Sequence, residues 1–183
     1  MSRDNPQSSA AARVALAAVL TAITALFTYA VRIPIAPTRG YLNLGDVAIF
    51  FSAFTFGPVT ALVSGGLGTA LADLLSGYSQ WAPISLAVHG LQGLVAALVA
   101  GTLSWDETRS RRTTAVRWTL AALAATAVMC GGYLLSGTFM VGFGAALVEL
   151  PGNLLQNAAG LLGGIPLTLA VRRAYPPVRR LRW

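Results

Sequence analysis

Three carboxylates, Asp46, Asp73 and Glu149, stand inside stretches that are otherwise apolar, and His89, Gln92 and Asn153 join them from similar surroundings. An ionisable side chain inside a membrane-spanning helix costs roughly a few kcal/mol and marks a substrate path, an ion path or a buried partner. The spacing groups these residues. His89 and Gln92 lie one turn apart on one predicted helix, and Glu149 and Asn153 lie four apart on another, so each pair shares a helix face. Asp46 opens a helix and Asp73 closes one. All of them fall in the same half of the chain's predicted bundle.

Each residue also has a plainer reading. Asp46 and Asn43 suit a helix N-terminus, where the dipole favours an acid. Asp73 could pair with Arg32 or Arg39, and His89 could be a core histidine bonded to Gln92 or to a carbonyl. Gln156 and Asn157 suit interhelical hydrogen bonding. Tyr41, Tyr78 and Trp81 suit the aromatic belt of a membrane interface. Several acids at one depth nevertheless point to a ligand pocket more than to separate structural uses. Aromatic faces stack on a heteroaromatic ring and carboxylates accept hydrogen bonds from its amines, so the pocket suits a small, flat, nitrogen-rich ligand. The candidate ligand-binding residues are Asn43, Asp46, Asp73, Tyr78, Trp81, His89, Gln92, Glu149 and Asn153.

Other chemistry is excluded by composition. All thirteen basic residues are arginine, which removes a Walker A lysine and Schiff-base chemistry. One cysteine, Cys130, permits no internal disulfide, and one histidine leaves no Cys/His metal cluster. Cys130 reads as a small core residue. The sequence therefore predicts no cofactor, no metal and no catalytic centre.

The elements that position these residues are membrane helices. The chain of 183 residues is 55% hydrophobic and 10% charged, whereas soluble domains carry roughly 25% charged residues. The prediction is an all-α integral membrane protein, a six-helix bundle over residues 10–173, with a polar tail at 1–9 and a basic tail at 174–183. The helices are expected at 10–31, 44–56, 58–76, 83–103, 118–135 and 143–171. The first run is longer than a signal-peptide core, so it reads as a retained helix. The segment "RIPIAPTRGYLN" reads as a loop, and "GYSQWAP" and "SGTFMVG" as turns. The second helix, at about 20 Å, is too short for the ~30 Å hydrocarbon core.

Arginines set the expected orientation. Arg3, Arg13, Arg109, Arg111, Arg112, Arg117, Arg172, Arg173, Arg179, Arg180 and Arg182 fall on one side and Arg32 and Arg39 on the other. The positive-inside rule puts both termini in the cytoplasm and the polar pocket near the outer face. This arrangement accounts for the net charge of +7 without nucleic acid as a partner. Small residues form ridges beneath the polar groups: Gly65, Thr69, Asp73 and Gly77 on the third helix, and Gly90, Gly93, Ala97 and Gly101 on the fourth. Such ridges let backbones approach closely and give the pocket a packed floor.

The motifs "NLGD", "FGP", "GGLGTALADLLSGY" and "WAP", in that order between Tyr41 and Gly101, resemble the S components of energy-coupling factor (ECF) transporters. The nearest subgroup is that for hydroxymethylpyrimidine, pyridoxine or riboflavin-like substrates. The resemblance covers about a third of the chain by motif and the rest by topology and length. It implies a vitamin-capturing subunit of a bacterial or archaeal plasma membrane. Such a subunit holds its ligand near the outer face, docks on a transmembrane coupling protein driven by two cytoplasmic ATPases, and topples to release the ligand inward. Family members meet the coupling protein through an Ala-x-x-x-Ala pattern on the first helix. Ala11/Ala15 and Ala18/Ala22 both match, and Ala18 with Ala22 is the favoured pair. The subgroup often carries lysine where this chain has His89, which bears on the ligand charge it accepts. The leading expectation is capture of hydroxymethylpyrimidine or a thiamine-related ring. A pyridoxine- or riboflavin-type S component and a stand-alone small-molecule carrier are the alternatives. A membrane enzyme using Glu149 and His89 lacks a nucleophile.

Overall fold

The computed structural model describes residues 9–104 and 108–183. The polar tail, apart from Ser9, and the centre of the loop "SWDETRSRR" lie outside the described residues. The helices are α1 (Ala10–Ala30), α2 (Gly45–Phe56), α3 (Pro58–Ser76), α4 (Ala82–Ala100), α5 (Arg111–Val141) and α6 (Phe143–Ala174). Five are long and apolar enough to cross a membrane, and α2, at 12 residues, is not. Between α1 and α2 the chain makes two short strands, β1 (Ile33–Ile35) and β2 (Gly40–Leu42). They pair antiparallel with Ile33 opposite Leu42 and Ile35 opposite Gly40. The stretch expected to be an irregular loop is thus a hairpin over one end of the bundle. A 3-10 turn at Pro176–Leu181 follows α6, and its Val178 is buried against Leu20 and Phe56.

Local chemistry explains most boundaries. Ser9 and Ser110 accept hydrogen bonds from the N–H groups of Ala12 and Thr113, capping α1 and α5. Pro58 occupies the first turn of α3, where its missing N–H costs nothing. Gly57, at φ 105°, turns the chain between α2 and α3 in a conformation that side chains disfavour.

The largest difference from the sequence-based expectation is α5. "SGTFMVG" does not form a turn: the helix continues to Val141, and Gly142, at φ 91°, alone reverses the chain. The polar residues of that stretch satisfy themselves within the helix. Ser136 Oγ donates to the Gly132 carbonyl at 2.8 Å, and Thr138 Oγ1 donates to the Leu134 carbonyl at 2.6 Å. Gly137 is buried facing Ala146 of α6, so packing between the two helices outweighs the turn propensity of Ser and Gly. In the same way α4 stops at Ala100, three residues before the expected end, and α6 runs on to Ala174.

Small residues bring the backbones together. A Cβ added at Gly66 would lie 2.6 Å from the Leu86 carbonyl oxygen, and one at Gly93 would lie 2.8 Å from that of Ala61. The α3 and α4 backbones therefore touch. Gly164 on α6 meets Phe50 and the Val47 carbonyl of α2 in the same manner. Short α2 is buried on almost every side, so it fills the centre of the bundle rather than spanning it. At the end away from the hairpin, Phe54 stacks on Trp118 with centroids 4.9 Å apart, and the Arg172 guanidinium lies 5.7 Å from the Trp118 centroid, bonded to the Phe54 carbonyl. The polar residues gather at the hairpin end.

Candidate ligand-binding site

Under the hairpin lies a cavity of about 20 Å³, lined from every helix except α2. That is room for about one water molecule. Thr28 of α1, Thr69 and Asp73 of α3, Trp81, Ser85 and His89 at the start of α4, Met129 and Tyr133 of α5, and Glu149, Asn153 and Gln156 of α6 form it, with Gly40, Tyr41 and Asn43 above.

The roof is hydrogen-bonded to the walls. The Tyr41 hydroxyl donates to Asp73 Oδ1 at 2.6 Å. Burial, and then the Asp73 carboxylate beside it, pushes the Tyr41 phenol well above its ordinary value, so it stays a donor. Trp81 Nε1 donates to the Arg39 carbonyl at 3.2 Å. The Asn43 N–H donates to Gln156 Oε1 at 2.9 Å, and Asn43 Oδ1 accepts from the Gly45 N–H at 2.8 Å, turning the chain into α2. Gly40 passes so close to Glu149 that a Cβ would lie 2.8 Å from Oε1.

The walls combine aromatic faces with unpaired oxygens. Tyr133 stands edge-to-face with His89 at 5.5 Å and beside Trp81 at 5.9 Å, while its hydroxyl shares a hydrogen bond with Ser85 Oγ at 2.7 Å. Asp73 Oδ2, Glu149 Oε2 and Thr28 Oγ1 are buried and have no hydrogen-bond partner among the described residues. An unpaired buried acceptor is costly, and a ligand donor reaching it would be strongly held.

The floor is a continuous network. His89 Nδ1 lies 2.7 Å from Gln92 Oε1 and 3.3 Å from Asp46 Oδ1. Gln92 Nε2 donates to Asp46 Oδ1 at 3.2 Å and to Asn157 Oδ1 at 3.1 Å. Gln156 Nε2 donates to Asp46 Oδ2 at 3.4 Å, and Thr126 Oγ1 to Asn157 Oδ1 at 3.3 Å. A fully buried carboxylate is tolerable because its oxygens are met by three side chains on two helices.

Of the residues the sequence proposed, Asn43, Asp73, Trp81, His89, Glu149 and Asn153 line the cavity. Three are placed elsewhere. Asp46 and Gln92 are absent from the lining and instead contact His89 and each other. Tyr78 lies outside, packed on Tyr41 with centroids 4.6 Å apart. Asp73 takes Tyr41 as its partner rather than an arginine. Arg32 lies over the Tyr29 ring at 4.3 Å, and Arg39 contributes its backbone carbonyl to Trp81. Tyr133, Ser85, Thr28 and Thr69 were not legible as lining. Gln156, read as interhelical glue, does that work and also lines the cavity.

Ala15, Ala18 and Ala22 are exposed on α1. Ala18 and Ala22, but not Ala15, line an apolar groove of about 470 Å³ between α1 and α3, which Trp183 closes.

Residues 8–173 match the family profile described as "ECF-type riboflavin transporter, S component". An uncharacterized protein of Pyrococcus woesei is 32% identical over 152 residues, 82% of this chain and 95% of that protein. The thiamine precursor transporter HmpT of Lactococcus lactis subsp. cremoris is 33% identical over 151 residues, 82% of this chain and 81% of HmpT. The solved S component of a bacterial ECF transporter shares the fold at a TM-score of 0.61 and 21% identity, over 92% of this chain and 98% of that one. With its helical bundle, hairpin-covered cavity and matching profile, the chain is a multi-pass membrane protein that belongs to the family of ECF-type riboflavin transporter S components, which are transporter subunits and not enzymes.

Proposed function

We propose that this S component captures hydroxymethylpyrimidine, the ring precursor of thiamine, in the cavity under the hairpin. The observation that carries the reading is the pair of unpaired carboxylate oxygens, Asp73 Oδ2 and Glu149 Oε2, in one aromatic-walled cavity. A ring bearing an amine and a hydroxyl offers a donor to each, and Trp81 and Tyr133 offer faces for stacking. HmpT, a thiamine precursor transporter, supports the same choice. Admitting even one ring requires the hairpin, with Tyr41, to move outward.

The orientation belongs to the same proposal. Arg109, Arg111, Arg112 and Arg117 precede or open α5, and Arg172, Arg173, Arg179, Arg180 and Arg182 close the chain, at the end away from the hairpin. The hairpin end has Arg32 and Arg39. By the positive-inside rule both termini are cytoplasmic and the cavity lies near the outer face. The α1 groove containing Ala18 and Ala22 then faces lipid around mid-membrane, where a helix of the ECF coupling protein can pack closely against small residues. Two ATPases bound to that protein supply the energy.

The test is uptake of labelled hydroxymethylpyrimidine by vesicles containing the chain with or without an ECF module. Uptake that needs both the module and ATP is expected. Equal uptake by the chain alone would make it a stand-alone carrier. Competition by unlabelled hydroxymethylpyrimidine, pyridoxine and riboflavin ranks the ligands, with riboflavin expected last.

A further inference from the structure

His89 is the one histidine of the chain, and the network beneath it fixes which of its ring nitrogens carries a proton. Asn157 Nδ2 donates to the Asn153 carbonyl at 3.3 Å, so Asn157 turns its oxygen toward Gln92 and Thr126. The Gln92 group that meets both this oxygen and the Asp46 carboxylate must therefore be the amide NH2, since two acceptors face it. Gln92 Oε1 is then the atom 2.7 Å from His89 Nδ1. Asp46 Oδ1, 3.3 Å away, is a second acceptor at the same nitrogen. A nitrogen facing two acceptors must carry the hydrogen. Nδ1 is turned to the floor, and neither Asp46 nor Gln92 lines the cavity. With Nδ1 committed to the floor, Nε2 is the ring nitrogen left for the cavity that His89 lines.

We infer that Asp46, Gln92 and Asn157 are positioning residues that lock His89 as its Nδ1–H tautomer, so that Nε2 presents a lone pair to the cavity as a specificity-determining acceptor. The assignment rests on the reading of the cavity as a ligand site. The neighbouring groups make the consequence sharp. Asp73 Oδ2 and Glu149 Oε2 are acceptors as well, and the Tyr133 hydroxyl is engaged with Ser85. With Nε2 bare, the side-chain atoms that await a ligand are predominantly acceptors. The site then selects a ring by its outward-pointing donors, an exocyclic amine or a hydroxyl, and rejects one that presents a carbonyl at the same position. In such a site a mispaired acceptor leaves two buried lone pairs opposed, which discriminates more strongly than a missing contact. The floor is thus an element of selectivity although it never touches the ligand.

Because there is one histidine, protein labelled with 15N at histidine alone reports this residue without assignment. The expected result at about pH 8 is a neutral ring with a protonated Nδ1 and a bare Nε2. The Nε2–H tautomer, an even mixture, or a ring protonated on both nitrogens at that pH would overturn the inference. This measurement needs no ligand. Gln92→Leu combined with Asp46→Ala, which removes both acceptors at Nδ1 and is checked for an intact thermal transition, is expected to release the lock and populate the Nε2–H form. An unchanged spectrum in that folded variant would contradict the positioning role. For selectivity, affinities of hydroxymethylpyrimidine and its 4-oxo analogue are compared in the unaltered chain and in His89→Ala. The amino-over-oxo preference is expected to fall about tenfold in the variant, and an unchanged preference would remove His89 from ligand choice. If neither ring binds, the ligand proposal fails, and the tautomer measurement still decides the lock.

Discussion

At Asp73 the two carboxylate oxygens have different tasks. Oδ1 holds the roof through the Tyr41 hydroxyl, and Oδ2 is unpaired within the cavity wall. Asp73→Asn and Glu149→Gln keep the shape and remove the charge. Each is expected to weaken hydroxymethylpyrimidine binding by roughly 10- to 100-fold, the equivalent of about 1.5–3 kcal/mol for a hydrogen bond to a charged group. Titration calorimetry on the detergent-solubilised protein checks this, with an unchanged melting temperature as the control; unaltered affinity in both variants would remove them from the site. Tyr41→Phe removes the bond to Asp73 and leaves the tilted ring contact with Tyr78. The hairpin amides are expected to exchange hydrogen about fivefold faster or more, as for the loss of roughly 1 kcal/mol, and protection equal to the unaltered chain would show that the roof is held otherwise. The acids, the histidine and the amides were legible because polar residues in apolar runs are conspicuous. The partner of Asp73 was not. Arg32 and Arg39, in the outer loop on the same side of the membrane, suggested an ion pair, but the strand pairing sets Pro34 against Tyr41 and delivers the phenol instead. Tyr133 was missed because a lone tyrosine in a helix carries no spacing signal of its own.

The elements place these residues by close packing of small side chains. The contact between α3 and α4 depends on Gly66 and Gly93, where a side chain would run into a backbone carbonyl that cannot move aside. Gly66→Val or Gly93→Val is therefore expected to push the helices apart and destabilise the fold by about 1–3 kcal/mol, read as a lower melting temperature. Gly131 is the control, because a Cβ there meets nothing within 4 Å, and Gly131→Ala should leave the transition in place. An equal response at all three positions would refute the close-contact account. Helix existence and several boundaries followed from apolar run length and Pro58, whereas the start of α5 at Arg111, capped by Ser110, lies seven residues before the expected 118. The continuation of α5 through Val141 did not follow either, because Ser136 and Thr138 bond back to their own helix and so lose their value as turn markers. The hairpin was also hidden: strands of three residues leave no period to read.

On the scale of the whole molecule, the polar site and the small-residue α1 groove lie on different parts of one bundle, so binding and coupling should separate. Ala18→Trp and Ala22→Trp are expected to leave hydroxymethylpyrimidine affinity within about twofold and to lower module-dependent uptake by tenfold or more, since an indole at either position prevents close helix approach. Normal uptake in both variants would place the coupling face elsewhere. A chain without lysine builds no Walker A site, and in this family the energy comes from partner ATPases. The account stands or falls on what enters the cavity. Its most direct test is titration of the purified chain with hydroxymethylpyrimidine, pyridoxine and riboflavin. The expected result is saturable binding of hydroxymethylpyrimidine, tightest of the three and lost in an Asp73→Asn, Glu149→Gln double variant that still folds. Tightest binding of riboflavin, or hydroxymethylpyrimidine binding that survives the double substitution, would contradict it.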